Sequence, residues 1–391
     1  MTLESGSSAR DCGERADDVH CRLLHQCLGA PVERSAQTRC PEPRVIHESA
    51  SLRSIGTIRP IGFAYPVQPG DTLSAVTYRS TLTSRNTVLL PEKVGRLRGG
   101  LWLHSACRGP RLASEDVSSL LSRIDIRLVP GKRILWEPIC GQDIWNEIVD
   151  RASESLGARP HTQAVLRPFD IRRERFGVLF LSEEGHHLGF AKVGRNPLDP
   201  LHQGALRSWA EQAPSTFWAP SLLYSARIGD WSLVLTDAMP NERHTPARIS
   251  GEARRAVVSE YQSRLQPLAD TPIAHGDFGP WNVRRLRSGR LAIIDWEECT
   301  TAPLATDELW HAMTTAAIQQ IPPSKASTVV LESLKHHPLS EIRDAARRIR
   351  ARDDMGEPEE VAEDAVRPGH VKEFERRLDR LLREVERHVG Q

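Results

Sequence analysis

Two carboxylates and one amide lie at a spacing that suits phosphoryl transfer. In the stretch I-A-H-G-D-F-G-P-W-N-V, Asp277 is followed five residues later by Asn282, and Asp295 ends the apolar run L-A-I-I-D. Transfer from ATP requires one group that orients and deprotonates a hydroxyl, and oxygen ligands that hold Mg²⁺ at the phosphates. One Asp, with an Asn and a second Asp on the metal, can supply these functions. A lone aspartate is more often a turn residue or a strand-end cap, but the joint pattern favours the catalytic interpretation.

The local sequence predicts how these residues are held. Gly276, Gly279 and Pro280 favour an irregular loop around Asp277. A strand that starts at Val283, a turn at 287–290 and a returning strand at 291–294 form a predicted hairpin. This hairpin would place Asn282 and Asp295 on adjoining strand ends, close enough to share one magnesium ion.

The motifs H-G-D-F-G-P-W-N and I-I-D-W-E resemble the aminoglycoside phosphotransferase and choline kinase-like family of small-molecule kinases, which share the protein-kinase-like fold. The resemblance covers about residues 160 to 390. It implies that Asp277 is the catalytic base, that Asn282 and Asp295 hold Mg²⁺, and that His275 is a buried residue that braces the loop. The implied reaction transfers the γ-phosphate of ATP to a hydroxyl of a small molecule.

A strand lysine is the predicted phosphate ligand. Two strands are predicted at 175–181 and 187–193, and Lys192 lies in the second. It could be a solvent-facing strand residue, but a kinase requires such a lysine at the α- and β-phosphates. The connection at 236–240 is the predicted hinge that carries the adenine. The expected nucleotide-binding residues are therefore Lys192, Thr236, Asp237 and Met239.

Two expected parts of a kinase site are missing from the sequence. No G-x-G-x-x-G precedes Lys192. The helix predicted at 201–212 offers Gln203 in its early turns, where a glutamate should pair with the lysine, and Glu211 comes late. Three explanations stay open: Glu211 reaches Lys192, the pair is replaced, or the enzyme is impaired. The last motivates an alternative function, a catalytically impaired nucleotide-binding pseudokinase or scaffold.

The predicted fold class is α+β, a two-lobe protein-kinase-like fold with a sheet-rich N-lobe and a helical C-lobe. The predicted domains are a disordered leader at 1–56, a small N-terminal α+β segment and helix at 57–157, a kinase-like N-lobe at 158–240, and a helical C-lobe with the catalytic loop at 241–391. The leader is predicted because its composition, rich in Ser, Arg, Glu and Pro, cannot bury enough apolar surface. The helix at 371–389 carries an apolar stripe that favours core packing over partner binding.

Charge and composition limit the partners. Lys and Arg number 52 against 51 Asp and Glu, and the net charge of +1 predicts no nucleic-acid-binding face. The chain has no apolar run of about 18 residues and no secretory signal, so we expect no membrane partner and a cytoplasmic protein. Four of seven cysteines (Cys12, Cys21, Cys27 and Cys40) precede residue 41. Their spacing contains no C-x-x-C pair, which favours reduced thiols over a zinc site.

The acceptor is predicted to be a small molecule and not a protein. Protein kinases place an Arg between the His and the Asp of this loop, and here the position is Gly276. A helix is predicted to start near Asp307, which would cap it or lie in its first turn, and no A-P-E motif follows Asp295. An acidic cluster of Glu297, Glu298, Asp307 and Glu308 could attract a cationic acceptor or could be a solvated helix start. The sequence does not separate these two interpretations.

Overall fold

A computed structural model describes most of the chain after residue 63. The described residues are 64–66, 77–82, 87–94, 132–136, 138–166, 174–195, 198–242, 244–354 and 369–390. All of them belong to one compact unit, Pro43–Gln391. The predicted leader at 1–56 lies outside the described residues.

The described strands and helices follow one another in chain order. The strands are β1 (Ala64–Pro66), β2 (Thr77–Leu82), β3 (Thr87–Pro91), β4 (Lys132–Trp136), β5 (Thr162–Leu166), β6 (Arg175–Leu181), β7 (His187–Gly194), β8 (Phe217–Trp218), β9 (Leu222–Ile228), β10 (Trp231–Asp237), β11 (His244–Pro246), β12 (Ile273–Ala274), β13 (Val283–Leu286), β14 (Leu291–Ile293) and β15 (Thr300–Thr301). The helices are α1 (Gln142–Leu156), α2 (Pro200–Glu211), α3 (Gly251–Leu265), α4 (Thr306–Ile318), α5 (Pro323–Ser333), α6 (Leu339–Asp354) and α7 (Gly369–Gly390). Short 3₁₀ helices lie at Glu92–Val94, Gln266–Leu268 and Trp296–Glu298.

Within the described residues, nine strands form one sheet in the order β1-β4-β2-β3-β5-β6-β7-β10-β9. The strands predicted at 175–181 and 187–193 are β6 and β7, which pair in antiparallel fashion. Burial alternates along β7, because successive side chains of a strand point to opposite faces. Ala191 and Val193 are therefore buried in the core, while Phe190 and Lys192 lie on the other face.

Strands from both sides of residue 157 belong to one sheet, although the sequence predicted a boundary there between the N-terminal segment and the N-lobe. Val88 and Leu89 of β3 pair with Leu166 and Val165 of β5. The described strands of the 57–157 range therefore extend the same sheet. Pairing at this edge satisfies backbone N–H and C=O groups of β5 that would otherwise need other partners.

Helix α1 covers one face of this sheet. The apolar stripe predicted from its 3.6-residue period buries Trp145, Ile148 and Ala152. Trp145 meets Trp136 of β4 edge to face, with 5.4 Å between the ring centroids. Gly157 ends the helix in the left-handed conformation, as its position predicted.

The chain after residue 250 is mainly helical, and the predicted α+β class with a sheet-rich half followed by a helical half is confirmed. Helices α4 to α7 enclose a second core around Leu309 and Met313. The stripe of α7 is buried in that core: Phe374, Leu378, Leu381, Leu382, Val385 and Val389. The core-packing interpretation of this helix is confirmed. In the described part of the chain, no helix combines the length and the apolar composition that a membrane crossing would require.

Candidate active site

The predicted hairpin is present, and it brings the backbone of Asn282 close to that of Asp295 across its two strands. Strands β13 and β14 pair with Val283 opposite Ile293. The Ile294 amide donates a hydrogen bond to the Asn282 carbonyl at 3.0 Å. Asn282 therefore lies just before β13 and Asp295 two residues after β14, at the same end of the hairpin.

Asp307 holds the backbone of the loop that precedes Asp277. Its carboxylate accepts hydrogen bonds from the amides of His275 at 2.5 Å and Gly276 at 3.2 Å, and from the Tyr261 hydroxyl. It is fully buried, and burial raises the pKa of this carboxyl. Asp307 lies in the first turn of α4, which is one of the two predicted positions, but it does not cap the helix, whose N-cap is Ala305. The Asp307 side chain bonds to the loop instead, which is what a buried carboxylate requires to replace water.

Gly276 lies in the loop where a side chain cannot be accommodated. Its φ of +84° is in the left-handed region, and a Cβ at this position would lie 1.9 Å from the Glu298 carbonyl oxygen. The neighbouring His275 is fully buried and donates from Nε2 to the Ile294 carbonyl at 2.9 Å. Its Nδ1 then accepts from the Asp277 amide at 3.3 Å. His275 thus ties the loop to the hairpin.

The Asp277 carboxylate is oriented by two indoles and an amide. Trp310 Nε1 donates to Oδ1 at 3.2 Å, while Trp281 Nε1 and Asn282 Nδ2 donate to Oδ2, each at 3.0 Å. Trp281 lies within the motif, but Trp310 comes from α4. The sequence did not indicate either tryptophan as part of the site. An indole N–H only donates, so these contacts orient the carboxylate as a hydrogen-bond acceptor.

Asn282 presents an oxygen that has no donor among the described residues. Its Nδ2 is engaged by Asp277, at 2.8 Å to the carbonyl and 3.0 Å to the carboxylate. The residue is fully buried, and its Oδ1 finds no hydrogen-bond partner within the described structure. A buried acceptor without a donor is costly, and such atoms commonly mark the place of an ion or ligand.

Lys192 contacts two carboxylates of the D-W-E stretch. Its Nζ lies against Asp295 Oδ1 and is 2.9 Å from Glu297 Oε2. Arg175 Nη1 approaches the other oxygen of Glu297 at 3.2 Å. Burial alone would lower the pKa of Lys192 and raise that of Glu297. The opposite charges reverse both effects, so the pKa of Lys192 is raised and that of Glu297 is lowered.

This arrangement answers the question of the missing helix glutamate. Glu297, two residues after Asp295, is the carboxylate that pairs with the lysine. Glu211 is exposed, and Gln203 accepts a hydrogen bond from Ser225 at 2.7 Å. Of the three explanations that the sequence left open, the geometry agrees with replacement of the pair.

Neither interpretation of the acidic cluster is correct. Glu297 is paired with Lys192 and Arg175, and Asp307 is buried against the loop. Glu308 is 2% exposed and meets Arg254 Nε at 3.5 Å. Glu298 alone of these four acids is exposed. Three of the four acids therefore engage internal partners, and the cluster forms neither a cation-attracting surface nor a solvated helix start.

A cleft of about 810 Å³, including the open solvent at its mouth, lies beside Lys192 and Asp295. Apolar side chains, among them Leu179, Phe190 and Val234, form much of its lining. All the predicted nucleotide-binding residues line it: Lys192, Thr236, Asp237 and Met239. Thr236 and Asp237 are the last two residues of β10, so the predicted hinge begins inside that strand.

Two histidines of the cleft were not predicted. His202 of α2 is buried, and burial together with the charge of Lys192 lowers its pKa to about 4. His244 of β11 is also buried, and burial and the charge of Arg284 lower its pKa well below the usual value. Arg284 Nε donates to His244 Nδ1 at 3.2 Å. His244 Nε2 then carries the proton, and it has no acceptor among the described residues.

Comparisons with known proteins agree with the motifs. Residues 225–324 match the sequence profile of the phosphotransferase enzyme family. A comparison with curated proteins gives no match. Among solved structures, the chain is similar to a thermostable mutant of the aminoglycoside phosphotransferase APH(4)-Ia in complex with ADP and hygromycin B, at 11% identity and a TM-score of 0.38 over 61% of this chain and 98% of that one.

Two further structures are similar. An aminoglycoside phosphotransferase from Alicyclobacillus acidocaldarius gives 13% identity and a TM-score of 0.33 over 55% of this chain and 90% of that one. The choline kinase LicA from Streptococcus pneumoniae gives 10% identity and a TM-score of 0.25 over 61% and 99%. The resemblance indicated by the two motifs is thereby confirmed, since the segment that contains Asp277, Asn282 and Asp295 matches the phosphotransferase enzyme family.

Proposed function

We propose that this protein is an ATP-dependent phosphotransferase that transfers the γ-phosphate to a hydroxyl group of a small molecule. The observation that carries the proposal is the contact of Lys192, from the large sheet, with Asp295 at the end of the β13–β14 hairpin. Lys192, which would bind phosphate, lies beside a carboxylate that suits a metal ion, and both line an apolar cleft. Phosphoryl transfer depends on that combination of positioning and charge neutralisation.

ATP would occupy the cleft with its base toward β10. Apolar walls formed by residues such as Phe190 and Val234 suit a flat purine ring. The residues at the end of β10, Thr236 and Asp237, with Met239, would lie along the base. Lys192 would exchange one of its carboxylate contacts for the α- and β-phosphates.

The residues present also fit magnesium. The buried Oδ1 of Asn282 lacks a donor among the described residues, and Asp295 follows two residues after the paired strand β14. Oxygen ligands of this kind are those that Mg²⁺ prefers, and it commonly takes only one or two from the protein. Mg²⁺ bound there would neutralise charge on the β- and γ-phosphates.

Asp277 would act as the base. Hydrogen bonds from Trp281, Asn282 and Trp310 orient its carboxylate. A carboxylate oriented in this way would accept the proton of an acceptor hydroxyl as the γ-phosphate is attacked. Because three donors hold the carboxylate, little reorganisation is needed at that moment.

Gly276 supports a small-molecule acceptor. The Arg that protein kinases place between the His and the Asp cannot be introduced here, since even a Cβ would meet the Glu298 carbonyl oxygen. The segment from Asp295 to the start of α4 at Thr306 is short. Neither feature leaves room for a phosphorylated activation segment, so activity should not require prior phosphorylation.

The scaffold alternative was motivated by the absence of a helix glutamate to pair with Lys192. Glu297 supplies that carboxylate in place of a residue of α2. The two functions are distinguished by turnover. Purified protein is incubated with Mg-ATP and a panel of aminoglycosides, choline-like amines, sugars and amino alcohols, and ADP release is measured. Turnover with one acceptor class supports the proposal. Tight ATP binding with no turnover on any acceptor, and no intrinsic ATP hydrolysis, supports the scaffold.

Substitutions then assign the residues. Asp277→Asn should lower kcat by about 10²-fold or more while the Kd for ATP barely changes, because the lost interaction belongs to the transition state. Asp295→Ala should instead remove magnesium-dependent nucleotide binding. Asp270→Asn, at an exposed position, is the matched control and should behave like the wild type. Near wild-type turnover of Asp277→Asn would show that the base is wrongly assigned.

A further inference from the structure

Outside the cleft, two adjacent histidines and a buried glutamate converge on one point. His336 and His337 follow α5, and their rings lie 4.2 Å apart between centroids. Both Nε2 atoms approach the same oxygen, Glu308 Oε1 of α4, at 3.1 and 3.0 Å. The three ligand atoms all lie within 4.8 Å of one another.

From this geometry we propose that Glu308, His336 and His337 form a binding site for a divalent transition-metal ion of the zinc type. Imidazole nitrogen with one carboxylate is a donor set that suits Zn²⁺ or Co²⁺ and not Mg²⁺. In a tetrahedral zinc site with bonds of about 2.0–2.1 Å, donor atoms are separated by about 3.3 Å. The observed separations of 3.0 and 3.1 Å differ from this by a few tenths of an ångström.

The surroundings of the three ligands also suit an ion. The second oxygen of Glu308 faces Arg254 Nε at 3.5 Å, which leaves Oε1 directed at the histidines. Glu341 Oε2 lies 3.6 Å from His337 Nδ1, which carries a proton when Nε2 binds a metal, and a small shift would let this carboxylate accept a hydrogen bond from it. Partners of this kind orient metal ligands and raise their affinity. His336 is exposed, which provides an entry path and room for a water as the fourth ligand.

Metal binding changes the hydrogen bonds at one ligand. Arg255 Nη2 lies 3.2 Å from His336 Nδ1, which must carry a proton once Nε2 is coordinated. Arg255 is exposed and can turn into solvent, so this contact is lost on binding. The imidazoles bind as neutral groups, and any proton that they carry in excess is released to solvent. The site is independent of the proposed function, since none of its ligands lines the cleft.

The test uses the full-length protein with Cys12, Cys21, Cys27 and Cys40 replaced by Ser, because those thiols and their neighbouring histidines could also bind metal. After removal of metal by chelation, Co²⁺ is titrated and its visible d–d absorption recorded. One equivalent should bind, Zn²⁺ should displace it, and excess Mg²⁺ should not. His336→Asn with His337→Asn should raise the Kd for Co²⁺ by about 100-fold or more, and Glu341→Gln by about 10-fold. His388→Asn, an exposed histidine of α7, is the control.

A second measurement covers variants that fail to fold. An anomalous-scattering map recorded at the zinc edge from zinc-soaked crystals of the same protein, with those four cysteines replaced, should show a peak between the three side chains. Absence of that peak, or Co²⁺ binding that the double histidine variant leaves unchanged, would overturn the proposal.

Discussion

Replacement of Glu297 by Gln tests whether this residue positions the lysine. The substitution keeps the shape of the side chain and removes one negative charge that faces Lys192 Nζ at 2.9 Å and Arg175 Nη1 at 3.2 Å. The Lys192 and Glu297 side chains are 29% and 22% exposed, so solvent screens the pair only in part. A hydrogen bond between charged groups contributes about 1.5–3 kcal/mol. If the lysine is held for phosphate binding, losing one such bond should lower kcat/KM for ATP by about 10- to 100-fold.

The assay measures ADP release by a coupled enzyme system over a range of ATP concentrations. Glu211→Gln is the matched control, because it alters the late carboxylate of α2, which is exposed. That variant should retain wild-type kinetics. If Glu297 instead only repels the triphosphate, the substitution should have the opposite effect on ATP affinity. Glu297→Gln would then bind ATP more tightly and turn over at an undiminished rate. That result would refute the assignment of Glu297 as the partner of Lys192.

Two further substitutions test the loop and the cleft. Gly276→Ala should destabilise the fold by at least about 2 kcal/mol in urea unfolding, while Gly289→Ala, at a similar positive φ but with no atom near its Cβ, should cost less. Equal losses would show that the contact with Glu298 is unimportant. Burial raises the pKa of Asp237 from 3.8 to about 6. The ionised form is therefore disfavoured in the fold, and stability falls as the pH rises from about 4 to 6. Asp237→Asn should remove this penalty: its gain in unfolding free energy should grow from pH 4 to pH 7, to at most about 3 kcal/mol, then stay constant. A gain independent of pH would contradict the assignment.

The parts of the site that the sequence predicted are local in the chain. The hairpin of β13 and β14 follows from two apolar runs separated by a glycine turn, and this pattern also places Asn282 opposite Ile294. Strands β6 and β7 and helix α1 were predicted for the same reason, since hydrophobic periodicity is read over a few residues. The spacing of side chains within one motif is enough to identify such elements.

What the sequence did not predict depends on contacts between distant elements. Asp307 had the pattern of a helix-start residue, and nothing near it in the chain showed that it binds the loop at 275–276. Trp310 and His244 reach the site from other elements, and no short motif includes them. Glu297 lies beside Asp295 in the chain, but its pairing with Lys192 depends on how the sheet meets the hairpin. Strands β2 and β4 and helix α5 were also missed.

The location of Glu297 has a consequence for control of the proposed activity. In protein kinases the carboxylate that pairs with the strand lysine is carried by a mobile helix, and moving that helix away switches the enzyme off. Here the same carboxylate lies in the 3₁₀ turn Trp296–Glu298, directly after Asp295 and beside a buried tryptophan. Displacement of α2 would leave the ion pair intact. The lysine–glutamate ion pair would then be present whenever the protein is folded. The rate of the proposed reaction would be set by the concentration of acceptor and by the amount of protein made.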